Sequence, residues 1–241
     1  MKKFWEVKQS ANKEEADIYI FGEIVSYKWD DADTTAASFQ KDLKELGEVN
    51  QINLHINSPG GSVFEGIAIG NMLKQHKAHV TAHVDALAAS IASVIVASCD
   101  EVIMPENSML MIHNPMMGIF GNAIELRKAA ESLDKIAEPS VTTYLAKAGD
   151  KLTEEKIKQI MDEETWLSAS EAYEYGLCDV IDSPNQMVAC ISQQFFDIYQ
   201  KVPNKLLQPE QKNKLSEEQR SQIIQKAQQE KAFIGSILGG L

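Results

Sequence analysis

Short apolar runs alternate with helical patterns along the first three quarters of the chain. In a typical run, Ile52, Leu54 and Ile56 alternate with polar residues, which is the pattern of a strand with one buried face. The pattern predicts strands at 18–21, 52–57, 80–84, 102–104, 109–112 and 177–181, and helices at 34–46, 63–74, 87–98, 153–162 and 168–176. Strand–helix–strand units of this length predict an α/β fold with a largely parallel sheet and right-handed crossovers.

A long helix is predicted where this alternation stops. From Leu126 to Ala148, apolar residues recur mostly at steps of three and four, between a start signal at Asn122 and a stop signal at Gly149. Pro139 lies inside the helix and predicts a kink beyond its centre. Because the helix is longer than the domain requires, we expect it to project and to pack on another subunit.

The composition of the chain changes after about residue 184. Residues 203–230 are rich in Gln, Lys and Glu, unlike the apolar alternation before them. We therefore predict an N-terminal extension (1–15), an α/β domain (16–183) and a C-terminal tail (184–241) used for interaction or assembly. A plain solvated helix explains the tail equally well.

The charge balance is acidic, with 35 Asp and Glu against 23 Lys and Arg in 241 residues. No basic stripe is present, which argues against nucleic acid as a partner. The N-terminus lacks the apolar segment of a signal peptide, and no apolar run approaches the roughly 18 residues that span a membrane. Cys99, Cys178 and Cys190 are widely spaced, which predicts a reduced, cytoplasmic protein without a zinc site or disulfide frame.

Two short stretches contain residue types used in covalent catalysis. Residues 57–61 (Asn-Ser-Pro-Gly-Gly) end a predicted strand, and paired glycines can direct bare N–H groups at a ligand. Residues 88–92 (Ala-Ala-Ser-Ile-Ala) place Ser90 at a helix start, where the dipole favours developing negative charge. Each stretch alone is also explained as an ordinary turn or a small packing residue. Together they favour an oxyanion hole and a nucleophile.

A serine nucleophile needs a nearby base, and His113 is the candidate among the five histidines. His113 ends an apolar strand and precedes Asn-Pro, which directs the chain out of the sheet at a strand end, where α/β sites form. We expect His55 to be an exposed strand residue. His76 and His79 are expected to be solvated. His83 lies in the strand that leads to Ser90 and could support the site, but we favour a surface role for it.

Four collinear motifs resemble those of the ClpP family of serine peptidases. They are residues 56–61 (Ile-Asn-Ser-Pro-Gly-Gly), 88–90 (Ala-Ala-Ser), 111–115 (Met-Ile-His-Asn-Pro) and the stretch from Trp166 to Leu177 that begins Trp-Leu-Ser-Ala. The resemblance covers roughly residues 16–183. It implies a ClpP/crotonase-type α/β superhelix of repeated β-β-α units with a projecting long helix. It also implies a serine endopeptidase that forms an acyl-enzyme, and we predict neither a cofactor nor a metal.

The resemblance also implies roles for individual residues. Ser90 would be the nucleophile and His113 the general base. The oxyanion hole would consist of the backbone N–H groups of Gly61 and Ile91. The substrate would bind as an added strand between two segments, with Gly60, Ser62 and Val63 on one side and Met116 and Met117, in the stretch 116–121, on the other.

The chain departs from the family pattern at the third catalytic position. The family's aspartate precedes the aromatic residue of the fourth motif by two positions, and this chain has Glu164 there. Glutamate can orient a histidine, but its extra methylene requires a small backbone adjustment. Asp162 would serve if the segment slips by two residues, and a dyad without an acid is a third possibility. We favour Glu164, and rates of the Glu164→Ala and Asp162→Ala variants would decide.

The segment around Glu164, the tail and the Ser90-to-His113 spacing look closer to ClpP-like proteases of phage and prophage head genes. The substrates would then be capsid or scaffold proteins cut during prohead maturation, in the host cytoplasm or the assembling prohead. The alternative is a housekeeping ClpP-type subunit that degrades unfolded protein. Since the chain has no nucleotide-binding motif, any AAA+ unfoldase would be a separate chain. The family implies a homo-oligomeric ring in either case.

Three other functions fit parts of the pattern. A crotonase-type enzyme acting on acyl-CoA thioesters would share the fold without needing Ser90 and His113. A serine–lysine dyad peptidase of the signal-peptide-peptidase type would use Lys128 or Lys135, but it would leave the His113 motif unexplained and the chain has no membrane anchor. A non-catalytic assembly protein would keep the fold, and the intact candidate residues argue against it.

Overall fold

The computed structural model describes residues 5–9, 14–26, 35–185 and 198–203, which belong to one compact unit ending at Pro203. The strands are β1 Trp5–Gln9, β2 Glu15–Phe21, β3 Gln51–Ser58, β4 His79–Ala89, β5 Glu101–Pro105, β6 Met109–Ile112, β7 Thr165–Ser168 and β8 Val180–Asp182. The helices are α1 Ala36–Glu45, α2 Val63–Lys74, α3 Ile91–Ala97, α4 Ala123–Ala148, α5 Glu154–Asp162 and α6 Ala169–Glu174. This confirms the predicted α/β class.

The sheet is largely parallel, as predicted. Its main path runs β1-β2-β3-β4-β5-β8, and β6 pairs with both β4 and β7. The steps from β2 to β8 and the β4–β6 pair are parallel, whereas β1 and β7 are antiparallel to their neighbours. Neither antiparallel strand was predicted from the sequence.

The core lies between one face of the sheet and the helices. Alternate positions of the central strands are fully buried, which confirms the one-sided pattern read from the sequence. The core cluster combines these side chains with residues of the first three helices; it includes Ile18, Ile20, Leu54, Ile56, Val80, Phe39, Ile69 and Ile95. Burial of side chains of this size contributes about 1.5–3 kcal/mol each to folding. The packed core therefore holds the strands, and with them the strand ends, in place.

The predicted helix at 87–98 is wrong in its first turn. Strand β4 continues to Ala89, and Leu87–Ala89 pair with Met109–Met111 of β6. The helix begins only at Ile91. A run of small and apolar residues has no periodicity that separates a buried strand from a buried helix, and here the pairing with β6 decides. The correction places Ser90 at the junction between a strand and a helix.

The long helix α4 begins at the predicted start signal, Asn122, which forms a capping box with Glu125. The Asn122 side chain accepts from the Glu125 N–H, and the Glu125 side chain accepts from the Asn122 N–H. It is continuous across Pro139. Most of its first half is exposed, with Ile124 at 65% and Leu126 at 45%, although Ala129 is buried; in its second half Tyr144 is buried. The exposed half fits the expected projection, and its packing on another subunit stays a prediction.

Some predictions fall outside the described residues. These are most of the N-terminal extension, Cys190 and nearly all of the tail, namely 186–197 and 204–241. The domain boundaries at 15 and 183 therefore stay predictions. Within the described ranges, every helix is too short or too polar to span a bilayer.

Candidate active site

The candidate site lies where three parallel strands end. The glycine turn follows β3, Ser90 follows β4 and His113 follows β6. Strands β3 and β4 are neighbours, with Ser58 paired to Ala88, and β4 and β6 are neighbours as well. Since the carboxyl ends of parallel strands meet at one edge of a sheet, residues far apart in sequence converge there. The fold thus brings the predicted turn, serine and histidine together.

The Ser90 hydroxyl and the His113 imidazole are in direct contact. Ser90 Oγ lies 2.7 Å from His113 Nε2, a hydrogen-bond distance. For Nε2 to accept the serine proton, the imidazole must carry its own proton on Nδ1. Burial lowers the pKa of His113 below its ordinary value of 6.5, while the negative charge of Glu164 raises it. Because burial is the larger effect, His113 is neutral near pH 7, as a general base must be.

The backbone of Ser90 has an unusual conformation. Its φ is 55° and its ψ is −128°, and Ser90 and Glu164 are the two non-glycine residues with positive φ in the described chain. The Ser90 N–H donates to the Met111 carbonyl at 2.9 Å, which fixes this turn to strand β6. Strained nucleophiles on sharp strand-to-helix turns expose their Oγ above the sheet.

A buried network that the sequence did not reveal supports this turn. Ser93 Oγ donates to the Ser90 carbonyl at 2.6 Å and also lies 3.1 Å from the Met111 carbonyl. The Tyr144 hydroxyl of α4 lies 2.8 Å from the same Ser93 oxygen, and both side chains are buried. The network ties the nucleophile turn to the long helix. A serine three positions after Ser90 was the available signal, but its partner is 51 residues away.

The glycine turn has no room for side chains. Gly60 has a φ of +97°, and a Cβ there would lie 2.7 Å from Ser90 Cβ. Gly61 has a φ of +144°, and a Cβ there would lie 2.0 Å from the Ile24 carbonyl oxygen. The buried Ser58 hydroxyl accepts from the Gly60 N–H at 3.1 Å and shapes the turn. Both glycines are therefore required by close approach and by backbone conformation.

Two backbone N–H groups are left available beside Ser90. Ile24 forms a parallel backbone bridge with the glycine turn: its N–H donates to the Gly60 carbonyl at 2.8 Å, and its carbonyl accepts from the Ser62 N–H at 2.7 Å. The Gly61 N–H takes no part in this bridge. Ile91 begins α3, where an N–H has no partner within the helix. In the described part of the chain, no hydrogen bond occupies either group. Gly61 follows Gly60, which lies against Ser90, and Ile91 is the residue after Ser90. The role of these two N–H groups as an oxyanion hole stays a prediction.

The predicted substrate segments follow the glycine turn and His113 along the chain. Met116 and Met117 are about half exposed, at 50% and 45%, and no strand forms between His113 and α4. Ser62 and Val63 lie at the start of α2 and are partly exposed. The backbones of these segments are not paired with each other in the described structure. Their role in binding a substrate strand stays a prediction.

The two candidate acids are held differently. Glu164 is buried, with 8% exposure, and its charge acts on His113. Its Oε1, however, accepts hydrogen bonds from the backbone N–H groups of Gln200 and Lys201, at 2.7 and 2.8 Å. Asp162 is exposed and accepts from the Asn114 side chain at 2.7 Å. Of the two acids, Glu164 is therefore the one whose charge affects the pKa of His113, although no direct hydrogen bond joins them among the described residues. Its assignment as third member stays a prediction.

The other histidines lie away from this centre. His55 is half-buried rather than exposed, because its ring stacks between Tyr19 at 4.7 Å and His83 at 4.8 Å, while Asp85 contacts its Nδ1. Neighbouring strands place these side chains side by side on the polar face of the sheet. His79 is exposed as expected. Within the described residues, no three acidic, His or Cys side chains are grouped to hold a metal ion.

The charge of Glu164 gives a pH prediction. Glu164 raises the pKa of His113, so the Glu164→Gln variant should have a lower His113 pKa and keep a neutral base to lower pH. The acidic limb of kcat/KM against pH should therefore shift to lower pH. The Asp162→Asn variant removes an exposed charge that does not act on His113, and its limb should stay in place. Equal shifts in both variants, or a shift of the Glu164→Gln limb to higher pH, would contradict this electrostatic pairing.

Comparison with known proteins agrees with this geometry. A family model of the Clp protease matches residues 10–184. The ATP-dependent Clp protease proteolytic subunit 3 of Rhodococcus jostii is 36% identical over 134 residues, 55% of this chain and 65% of that protein. The proteolytic subunit of Bacteroides fragilis is 32% identical over 155 residues, 62% of this chain and 73% of that protein. Subunit 1 of Chlamydia abortus is 38% identical over 130 residues, 52% of this chain and 67% of that protein.

The aligned region thus spans about two thirds of the length of these curated relatives. The matched part of this chain contains the β3, β4 and β6 strand ends and the residues that follow them. On these grounds, the chain belongs to the Clp protease family of serine endopeptidases.

Proposed function

We propose that this protein hydrolyses peptide bonds through an acyl-enzyme on Ser90. The observation that carries the proposal is the 2.7 Å contact between Ser90 Oγ and His113 Nε2, at a strand end with two available N–H groups. A nucleophile within hydrogen-bond distance of a neutral base is the arrangement that activates a serine hydroxyl. The family relationship supports the same chemistry.

In the proposed hydrolysis, each chemical step is assigned to a group of the candidate site. Ser90 Oγ attacks the substrate carbonyl carbon while His113 Nε2 takes the serine proton. The carbonyl oxygen becomes an oxyanion that accepts hydrogen bonds from the N–H groups of Gly61 and Ile91. His113 then gives its proton to the leaving amine, and the peptide C–N bond breaks. Water, deprotonated by His113, releases the acyl group and restores Ser90. Glu164 would stabilise the His113 cation that exists between these steps.

The substrate is proposed to be an extended polypeptide. Its backbone would pair with the segment from Gly60 to Val63 on one side and with the stretch that includes Met116 and Met117 on the other. The first segment begins at Gly60, which lies against Ser90, and it is partly or fully exposed from Gly61 onwards, while Met116 and Met117 are exposed. A substrate held through its backbone places few demands on its side chains, which suits an enzyme that cuts unfolded or extended protein.

More specifically, the protein is proposed to be a prohead maturation protease. A glutamate in place of the family's aspartate and a C-terminal segment beyond the family match both distinguish this chain from the family pattern. They fit a protease that cuts capsid or scaffold proteins in a phage or prophage head. The relatives named above are called ATP-dependent proteolytic subunits, which fits a housekeeping subunit served by a separate AAA+ unfoldase equally well. A homo-oligomeric ring, built in part through exposed α4, belongs to both proposals.

A two-part assay tests these proposals. The purified protein should hydrolyse fluorogenic peptides and unfolded casein, and Ser90→Ala should not. Capsid and scaffold proteins encoded beside this gene should then be cleaved without ATP, whereas a tagged folded protein should not be degraded even with an AAA+ unfoldase and ATP. Degradation only in the presence of the unfoldase and ATP would favour the housekeeping role. No cleavage of any peptide or protein, together with no covalent labelling of Ser90 by a fluorophosphonate, would contradict the peptidase proposal itself. Light scattering that gives a monomer mass would contradict the ring.

A further inference from the structure

A segment from the C-terminal part of the chain occupies the candidate active site. Residues 198–203, called the strap below, follow the family match that ends at residue 184. Within the strap, Tyr199 is 6% exposed, although its neighbours Ile198 and Gln200 are exposed. Tyr199 is the one buried side chain of a segment whose other residues are exposed or partly exposed, which makes it an anchor, and its surroundings show what it anchors to.

The Tyr199 side chain packs on catalytic candidates from two directions. Its ring meets the His113 ring edge-to-face at 5.3 Å between centroids and the Trp166 ring at 5.9 Å. Its hydroxyl donates to the Pro59 carbonyl, immediately before the glycine turn, and also interacts with the Ser90 hydroxyl. Tyr199 therefore touches the nucleophile, the base and the edge of the oxyanion-hole turn with one side chain.

The strap cannot react with Ser90 in this position. Attack by Ser90 requires a carbonyl carbon about 3–3.5 Å from Oγ. The group that the strap presents to Ser90 is a phenol hydroxyl, which has no electrophilic carbon and no leaving group. A substrate that entered the site would have to displace the Tyr199 ring from His113. The strap thus resembles an inhibitor in its chemistry rather than a substrate.

The strap also binds the carboxylate of Glu164, the candidate third member of the catalytic set. Glu164 Oε1 accepts from the Gln200 and Lys201 N–H groups at 2.7 and 2.8 Å, and the Lys201 ammonium donates to the Glu163 carbonyl. Hydrogen bonds from N–H groups to a carboxylate are among the strong ones in proteins. While these bonds hold, Glu164 acts on His113 by charge alone. Release of the strap would free Glu164 Oε1 to accept from His113 Nδ1.

We propose that the strap is an internal inhibitor that covers Ser90 with Tyr199 and holds Glu164 on the backbone of Gln200 and Lys201. The closed strap is an off state, and its displacement both opens the site and completes the Ser90–His113–Glu164 set. This proposal rests on the peptidase function proposed above. It predicts that weakening the strap raises activity, which a substitution that merely damages the fold would not do.

The main test uses the full chain and a matched pair of variants. Gln200→Pro deletes one N–H that Glu164 accepts, because proline has none. Gln200→Ala changes the same exposed side chain and keeps the N–H. Loss of one charge-assisted hydrogen bond should shift the closed–open equilibrium by about tenfold. We expect Gln200→Pro to hydrolyse a fluorogenic peptide about tenfold faster than the wild type, with Gln200→Ala close to the wild type.

A second arm tests the Tyr199 anchor. Tyr199→Ala should also raise the rate of peptide hydrolysis and the rate at which a fluorophosphonate labels Ser90. The synthetic peptide Ile-Tyr-Gln-Lys-Val-Pro, added in trans, should inhibit the Tyr199→Ala variant, while the same peptide with alanine in place of tyrosine should not. Rates that do not rise in either Tyr199→Ala or Gln200→Pro, with Ser90 labelled equally in all proteins, would overturn the strap and leave the peptidase function standing. No labelling and no hydrolysis in any protein would overturn the peptidase function instead.

Discussion

Replacing Ser90 by alanine should lower peptide hydrolysis by about 10⁴- to 10⁶-fold while leaving the fold intact. The reason is that Ser90 Oγ lies in contact with His113 Nε2 beside two available N–H groups, and alanine removes the attacking atom alone. The circular dichroism spectrum and the oligomeric mass of the variant should match the wild type. Hydrolysis within tenfold of the wild-type rate would contradict the role of Ser90.

The Ser90→Gly variant provides the control on stability. Glycine at an ordinary position costs about 0.5–1 kcal/mol relative to alanine. Ser90 has a φ of 55°, a conformation that costs a non-glycine residue about 1–3 kcal/mol. We therefore expect Ser90→Gly to be at least as stable as Ser90→Ala in urea unfolding, while both are inactive. A Ser90→Gly protein about 1 kcal/mol less stable than Ser90→Ala would show that the turn stores no strain.

Replacing Gly61 by alanine should have the second-largest effect on rate, a loss of about 10²- to 10³-fold in kcat. A Cβ at this position would lie 2.0 Å from the Ile24 carbonyl oxygen, and the φ of +144° already disfavours a side chain. The turn must shift, and the Gly61 N–H moves away from the position where the oxyanion forms. The same shift breaks the backbone hydrogen bonds that Ile24 makes with Gly60 and Ser62, so the free energy of unfolding should fall as well.

Gly47→Ala is the matched control for backbone conformation. Gly47 has a φ of +70°, but a Cβ there would meet nothing within 4 Å. Its substitution imposes strain of about 1–2 kcal/mol without a clash, at an exposed position outside the site. We expect Gly47→Ala to lose some stability and to keep its kcat. If Gly61→Ala keeps its kcat as well, the Gly61 N–H does not form the oxyanion hole.

The parallel sheet and the convergence of Gly61, Ser90 and His113 could be predicted because they depend on local signals. Alternating apolar residues define the strands, and the paired glycines and the histidine before Asn-Pro each follow a predicted strand. Ser90 stands in a run of small residues that was predicted as a helix start, and the structure shows that a strand leads up to it. Parallel strands then carry these ends to one edge of the sheet. The capping boxes at Asn122 and Ser168 were predictable for the same reason, since each is complete within four residues.

What could not be predicted depends on partners distant in sequence. Whether Leu87–Ala89 form a strand or a helix is decided by pairing with β6, and β7 exists only because β6 is beside it. Tyr144 is recognisable as a core residue, but its bond to Ser93 needs α4 and α3 to be placed together. Tyr199 contacts Pro59, which is 140 residues earlier. No local pattern in the sequence signals such a contact, because its energy comes only from the assembled site.

Covalent labelling with a fluorophosphonate tests the central claim most directly. The reagent reacts with a serine hydroxyl only when a base and an oxyanion hole activate it, so it reports on the assembled site and needs no knowledge of the natural substrate. Peptide mapping by mass spectrometry should find one label, on Ser90, and the His113→Ala variant should lose it. A label on a different serine, an unlabelled Ser90 after prolonged incubation, or undiminished labelling of the His113→Ala variant would contradict a Ser90–His113 peptidase.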